Sequence, residues 1–363
     1  MEQKTVFLCA GGTGGHLFPA QALAHALRER SVRVHLVTDD RAEKYAKQFP
    51  ADETHVVRSA TIASKNPIAL FRTLMALYGG YLDARRLIQR IKPDVVVGFG
   101  GYPTLPPVMA ASSLGVPTVI HEQNAVMGRA NRFLASRVSA IAGGFLPAGA
   151  GQHGDKIEET GNPVRPDVIE SASTSYAPPG DGEPFNLLIF GGSQGAHFFS
   201  EVMPQVVNRM DEASRNRLRV TQQARPEDED ELKRFYQVAG VSAEVSPFFN
   251  DMAQRIAHAH LVICRSGAST VSEISVIGRP AVLVPYPYAL DHDQAANATA
   301  LEQKGGAMVF RQSELDPEKL SEILVGLMQD DGRLADMAAN AKATGKPDAA
   351  ERLANLVLTV GEK

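Results

Sequence analysis

Short apolar runs alternate with amphipathic stretches along the whole chain. Val6–Cys9, Val34–Val37, Val95–Val97, Thr118–Ile120, Leu187–Phe190, Val262–Cys264 and Ala281–Val284 are apolar, rich in β-branched residues and too short for helices. They predict strands buried on both faces. Ala20–Arg30, Leu70–Arg90, Phe198–Met210 and Glu229–Ala239 carry apolar residues at helical spacing instead. Strand–helix alternation of this kind predicts an α/β protein with doubly wound parallel sheets.

The order repeats. One apolar run leads into Gly11-Gly12-Thr13-Gly14-Gly15-His16, and another leads into Gly191-Gly192-Ser193-Gln194-Gly195-Ala196-His197. Between the halves, Ser171–Pro184 is rich in Ser, Pro and Gly, as a linker should be. Two Rossmann-like domains facing a cleft are therefore expected, over residues 1–163 and 164–347. Ligands of such sheets bind at the carboxyl ends of the strands. A last amphipathic segment, 348–360, has Ala350, Leu353, Leu356, Val357 and Val360 on one face. It needs an apolar partner and is expected to pack back on the first domain.

Composition narrows the class. A chain of 363 residues exceeds what one core usually organises, and 44% hydrophobic with 21% charged residues fits a globular protein. A net charge of −4 gives no case for nucleic acid. Cys9 and Cys264 lie far apart in apolar runs, which suits a reducing compartment and inert thiols. Met1–Cys9 has charges too close to its apolar run for a signal peptide. Val95–Ile120 has no charged residue, but Pro103, Pro106, Pro107 and Pro117 break it as a spanning helix.

Four glycine- or serine-rich turns follow predicted strands: Gly11–Gly15, Gly98–Gly101, Gly191–Gly195 and Ser266–Thr270. Each alone reads as a tight strand–helix turn. Together they favour a ligand that carries phosphate, because backbone N–H groups and helix N-termini attract anions. GxGxxG with its acidic partner and GxxxxGK[ST] are both missing, which argues against dinucleotides and P-loop nucleotides. Within Cys264–Glu273, Thr270 and Glu273 read either as a capping box or as part of a diphosphate and ribose site. His16 is either a local helix-start residue or a general base. His121-Glu122-Gln123-Asn124 closes a strand where ligands bind, although His121 and Glu122 equally suit structural duty. Around Pro67–Arg90, the apolar Phe71, Met75, Tyr78 and Leu82 lie among Arg72 and Arg86. This reads as a core helix with a basic edge or as a patch that enters a membrane interface.

With these motifs in order, the chain resembles the bacterial MurG family almost end to end. The resemblance rests on Gly11–His16 with Pro19, Gly98–Tyr102, His121–Asn124, Gly161-Asn162-Pro163-Val164-Arg165, Gly191–Gly195, Cys264–Glu273, and Gln294 with Asn297. It implies the GT-B fold and inverting transfer of N-acetylglucosamine from UDP-N-acetylglucosamine. The implied acceptor is an undecaprenyl-linked N-acetylmuramoyl-pentapeptide at the cytoplasmic face of the plasma membrane, in peptidoglycan synthesis. An anionic membrane surface and other cell-wall synthesis proteins are the implied partners.

Carried onto matching positions, the resemblance places Thr13, Gly14, Gly15 and Asn124 on the donor from the first half, with Arg165 and Ser193 across the cleft. Phe249 falls where uracil is bound. Ala268, Ser269, Thr270, Val271, Ser272 and Glu273 hold diphosphate and ribose, and Gln294 faces the sugar. His16 is the leading base, with Glu122 as the other candidate. Without an Asp-x-Asp motif, no tightly bound metal or cofactor is expected in the site, a divalent ion assisting at most. Two positions depart from the family pattern. Asp291-His292-Asp293-Gln294 stands where Asp-Asp-His-Gln is common, and Ser64 stands where glycine is common. A GT-B transferase with another acceptor and a non-catalytic nucleotide-sugar scaffold are the rival readings. Retention of His16 and Glu273 argues against the scaffold.

Overall fold

The structure, a computed structural model, describes residues 3–11, 14–40, 49–60, 66–149, 151–289 and 293–362, with the side chains of all but 192–196. Thr13, Ser64, Asp291 and His292 lie outside the described residues, as does the side chain of Ser193. The chain forms two compact units, Met1–Arg165 with Pro347–Lys363, and Pro166–Lys346. It crosses between them at Arg165–Pro166, slightly later than the division at 163 drawn from sequence, and again at Lys346–Pro347.

The first unit holds seven parallel strands: β1 (Thr5–Cys9), β2 (Arg33–Thr38), β3 (Glu53–Val56), β4 (Val95–Gly98), β5 (Thr118–Glu122), β6 (Ala140–Gly143) and β7 (Ile157–Glu159). Their order is β3-β2-β1-β4-β5-β6-β7. Because side chains alternate along a strand, β1 feeds two cores at once. Val6 and Leu8 pack with Leu23 and Leu27 of α1 (Gly14–Glu29), and with Leu353 and Val357 of the C-terminal helix. Phe7 and Cys9 pack on the other face, with Ala84 and Ile88 of α2 (Pro67–Ile91) and Val108 of α3 (Leu105–Ser113). A short helix α4 (Arg129–Leu134) follows β5.

The second unit holds β8 (Phe185–Phe190), β9 (Leu218–Gln223), β10 (Ser242–Ser246), β11 (Leu261–Cys264), β12 (Ala281–Leu283) and β13 (Ala307–Val309), ordered β10-β9-β8-β11-β12-β13 and all parallel. Its helices are α5 (Pro166–Ser171), α6 (Gly192–Arg209), α7 (Glu212–Arg217), α8 (Pro226–Val238), α9 (Met252–His258), α10 (Ala268–Ile277), α11 (Asp293–Gln303), α12 (Pro317–Met328) and α13 (Asp331–Thr344). Leu187, Ile189, Val220 and Ile263 pack under Val206 of α6, Leu232 of α8 and Leu324 of α12.

A buried cation ties α10 to its surroundings. Arg279 donates to the carbonyls of Ile277 (3.1 Å), Gly278 (2.9 Å), Thr174 (3.0 Å) and, through Nε, Ala257 (2.9 Å). Burial pulls its pKa down, yet each partner is a carbonyl, so the charge is met by dipoles.

The last helix, α14 (Ala349–Val360), belongs to the first unit although the whole second unit precedes it in the chain. Leu353 and Val357 are fully buried, Arg30 binds Glu351 and Asn355, and Lys4 pairs with Glu362 at 3.0 Å.

Two helices begin more than a full turn earlier than apolar spacing predicts. α1 starts at Gly14 rather than Ala20, with Pro19 inside it, and α6 starts at Gly192 rather than Phe198, with Pro204 inside it. Their first turns are glycine-rich and carry no apolar period to read.

Candidate active site

Each unit assembles its candidate residues at the carboxyl ends of its own strands. In the first, β1 ends at Cys9 and the chain enters α1 within a few residues, which places His16 in the first helical turn. Its ring lies against the turn after β4. A Cβ built on Gly100 would come within 3.3 Å of His16 Nε2, and one on Gly101 within 3.3 Å of His16 Cε1. Both glycines have left-handed backbones, with φ of 91° and 74°. The backbone conformation favours glycine at both positions, and the close approach of the His16 ring leaves little room for a Cβ. Thr104 pins this turn by sharing its one hydroxyl proton between the carbonyls of Gly100 (2.7 Å) and Cys9 (3.1 Å).

Behind His16 lies a buried polar network. His121 Nε2 meets the Gly161 carbonyl at 3.2 Å, and its Nδ1 meets Gln123 Nε2 at 3.1 Å. A carbonyl can only accept, so the proton sits on Nε2 and Nδ1 accepts from the amide. Gln123 also donates to the Phe99 carbonyl at 2.9 Å, and Asn162 donates to the Gln123 carbonyl at 3.0 Å.

Burial pushes the pKa of His16 below its ordinary value, against a hydrogen bond with the Gly11 backbone that raises it. For His121 burial is again the main cause, the bond to Gly161 opposes it, nearby His16 adds to it, and the value falls to about 4. Both rings are neutral at pH 7. An unfolded histidine charges near 6.5. Between about 4 and 6.5 the unfolded chain thus binds the extra proton, so stability is full above that window and falls as the pH drops through it. The shift corresponds to roughly 3 kcal/mol for His121. The urea midpoint should fall across this range and fall less in His121→Gln. An equal slope in both proteins would place the proton uptake elsewhere.

Glu122 is buried with both oxygens engaged. Oε1 accepts from Asn124 N (3.1 Å) and Nδ2 (3.2 Å), and Oε2 accepts from Gly128 N (2.9 Å) and Asn131 Nδ2 (2.9 Å). Burial raises its pKa and these four bonds lower it. The geometry makes it the residue that shapes the 123–128 loop and orients Asn124. Arg165 stacks its guanidinium over Phe18 of α1 at 4.6 Å, within the first unit.

In the second unit, α10 opens at Gly267, whose extended backbone (φ −62°, ψ 147°) caps the helix. The first helical bond runs from Val271 N to the Gly267 carbonyl at 3.0 Å. The N–H groups of Ala268, Ser269 and Thr270 precede it and point out of the helix start, where the helix dipole is positive. Ser269, Thr270 and Glu273 are half-exposed, Val271 is buried, and Ser272 turns back to the Ala268 carbonyl at 2.9 Å. Gln294 Oε1 accepts from Tyr286 N at 3.0 Å, and the Gln294 carbonyl accepts from Ser266 Oγ at 2.8 Å. Phe249 is buried beneath Arg255, whose guanidinium lies 4.1 Å from the ring centre and is held by Glu244 and Asp251.

Several contributors escaped the sequence reading. Arg265 is buried, its pKa pushed down to about 10 by burial, and it donates to Val284 (3.1 Å), Pro285 (3.3 Å) and Gln312 Oε1 (2.7 Å). It thereby fixes the loop that presents Tyr286. Asn131 and Thr104 act in the same supporting way. A charged residue directly after a buried strand, as at Arg265 after β11, was the available signal.

On α2, Ile68, Phe71, Leu74, Met75 and Tyr78 are all exposed, and Arg72 and Arg86 flank them while Leu82 is half-buried. The core-helix reading therefore holds only for the opposite face, through Gly80, Ala84, Leu87 and Ile88. Among the described residues, no helix is long and apolar enough to cross a membrane.

Two parallel sheets of Rossmann type, each ending in glycine-rich turns, give the chain the two-unit framework of the GT-B fold. Residues 6–142 match the glycosyltransferase family 28 N-terminal domain, and residues 186–353 match the glycosyltransferase family 28 C-terminal domain. The UDP-N-acetylglucosamine--N-acetylmuramyl-(pentapeptide) pyrophosphoryl-undecaprenol N-acetylglucosamine transferase of Sinorhizobium fredii (strain NBRC 101917 / NGR234) is 65% identical over 357 residues, 98% of this chain and 95% of that one. Its namesake from Rhizobium meliloti (strain 1021) is 63% identical, over 98% of this chain and 96% of its own. The crystal structure of Acinetobacter baumannii MurG superposes with a TM-score of 0.78 at 30% identity, covering 98% of this chain and 99% of that one. The chain belongs to the MurG family. A UDP-N-acetylglucosamine 2-epimerase with a TM-score of 0.69 at 13% identity shares the fold alone.

Proposed function

We propose that this chain transfers N-acetylglucosamine, with inversion, from UDP-N-acetylglucosamine to the C4 hydroxyl of a lipid-linked N-acetylmuramoyl-pentapeptide. The observation that carries this reading is near full-length identity of 65% with a transferase named for that reaction. The site chemistry agrees with it. His16 is a neutral, half-buried imidazole beside a glycine turn with no side chains of its own, as a base for a bulky sugar hydroxyl requires.

In this mechanism the acceptor C4 oxygen attacks the anomeric carbon from the face opposite UDP. The C4–OH proton passes to His16 as the new C–O bond forms. The bond between the anomeric carbon and the diphosphate oxygen breaks, and its electron pair leaves with UDP. Charge growing on the diphosphate is met by the N–H groups of Ala268–Thr270 at the start of α10. Glu273 accepts from the ribose hydroxyls, and Gln294, its oxygen already held by Tyr286, donates its NH₂ to the sugar. Thr13, Gly14, Gly15 and Asn124 complete the donor contacts from the first unit, with Arg165 and Ser193. Phe249 marks the uracil position. The helix N-terminus supplies positive potential, so no resident metal is needed, and a divalent ion assists at most as a diphosphate counterion.

The exposed face of α2 would dock on the cytoplasmic leaflet, its arginines meeting anionic headgroups. Replacing Phe71, Met75 and Tyr78 together by serine should abolish most sedimentation with anionic vesicles. Arg72→Ala with Arg86→Ala should weaken it mainly at low salt. Neither change should alter soluble UDP binding. Unchanged vesicle binding in all variants would move the membrane contact elsewhere.

The reading as a whole is tested by supplying labelled UDP-N-acetylglucosamine with the lipid-linked muramoyl-peptide. UDP release dependent on that acceptor is expected. Release that responds only to a soluble glycoside would reassign the acceptor, and no release with either would leave a binding protein.

A further inference from the structure

Among the described residues, one group of side chains combines metal-ligand chemistry with ligand-like spacing, and it takes no part in the reaction above. Parallel pairing of β2 with β3 sets His35 opposite Glu53 and Val37 opposite His55. The three side chains therefore share one face of the sheet, at its β3 edge. His35 Nδ1 lies 2.9 Å from His55 Nε2, His55 Nε2 lies 3.5 Å from Glu53 Oε2, and His35 Nδ1 lies 3.9 Å from the same oxygen.

We propose that His35, His55 and Glu53 bind one divalent transition-metal ion of the zinc class and clamp edge strand β3 to β2. The circle through three atoms at these separations has a radius of about 2.0 Å, the length of a zinc–nitrogen or zinc–oxygen bond. One ion can thus reach all three without any backbone shift. Two imidazoles and one carboxylate select zinc, cobalt, nickel or iron(II) over magnesium and calcium, which prefer all-oxygen sites. Exposed Glu53 leaves the remaining coordination positions to water.

Without an ion, the two rings are joined by a shared proton. The two rings are nearly coplanar, 16° apart, with centres 5.2 Å apart, so their nitrogens face each other along one hydrogen bond. An ion displaces that proton, which moves to the outer nitrogen of the ring that carried it, and each neutral ring turns to aim its lone pair at the metal. His35 Nε2 is buried with no hydrogen-bond partner, so nothing at that atom holds the ring in the opposite tautomer. Both rings are kept below the ordinary histidine pKa, chiefly by burial, so protons do not compete at pH 7. Glu53 and Asp52 favour a cation nearby, whereas Arg33 and Arg90 oppose it.

The test uses the full chain, free of affinity tag, treated with chelator and desalted. Cobalt(II) chloride is titrated while its visible absorption is followed, and zinc is then added in competition. One cobalt per chain is expected, displaced by zinc. Glu53→Gln should weaken binding at least ten-fold, and His55→Ala should abolish it. Zinc should also slow amide exchange in β3 of the wild type and not of Glu53→Gln. Because Glu53 is exposed, that variant keeps its fold and the result remains decisive even if His55→Ala misfolds. Absence of saturable binding, or equal affinity in wild type and Glu53→Gln, would overturn the proposal.

Discussion

Replacing His16 by alanine should lower turnover by about 10²–10⁴-fold while leaving UDP affinity nearly unchanged, the range general-base removal usually costs. The expectation follows from a division of labour. UDP is assigned to α10 and Glu273 in the second unit, whereas His16 sits in the first, against Gly100 and Gly101. Glu273→Ala should show the opposite pattern, raising the donor KM more than it lowers turnover. Because burial holds the His16 pKa below 6.5, the ring stays neutral, and so able to accept a proton, at more acidic pH than a free imidazole. The acid limb of the kcat/KM profile should therefore lie below pH 6.5. Should turnover and UDP affinity fall together in His16→Ala, the residue binds donor and another group takes the proton.

Arg279→Leu should destabilise the second unit by roughly 3–5 kcal/mol, lowering its Tm by about 10 °C. Leucine fills much of the space but donates nothing. Four carbonyls, on Ala257, Ile277, Gly278 and Thr174, would lose their donor inside the protein. Each buried acceptor left unmet costs about 1–3 kcal/mol, with partial relief by relaxation. The damage should also reach the donor site, because Arg279 directly follows Gly278, the left-handed residue that ends α10. Calorimetry with and without UDP separates the two effects. An unchanged Tm would mean that water replaces the guanidinium at little cost.

How much of this was legible beforehand depended on burial. β1, β4, β8 and β11 lie inside their sheets, so both of their faces are apolar and the runs stand out. β3, β7 and β10 sit at or near edges and read Glu-Thr-His-Val, Ile-Glu-Glu and Ser-Ala-Glu-Val-Ser, with nothing apolar enough to mark them. The metal-like cluster was hidden for the same reason, since its histidines and glutamate become neighbours only through strand pairing. Glycine turns and the motif order were plain in the chain. The seat of His16 was not, because Gly100 is brought to it by sheet order rather than by sequence proximity. The apolar residues of α2 were plain in the chain, yet only the packed structure shows that Phe71, Met75 and Tyr78 are uncovered.

α14 fills a groove of the unit whose other elements were made first. During synthesis, Leu23, Leu27 and their neighbours must wait for Leu353 and Val357 while the 166–346 segment emerges, an interval on the order of ten to forty seconds at ribosomal speed. The nascent amino-terminal half thus carries an uncovered apolar seam for that interval, and an early stop codon would leave the seam open for good.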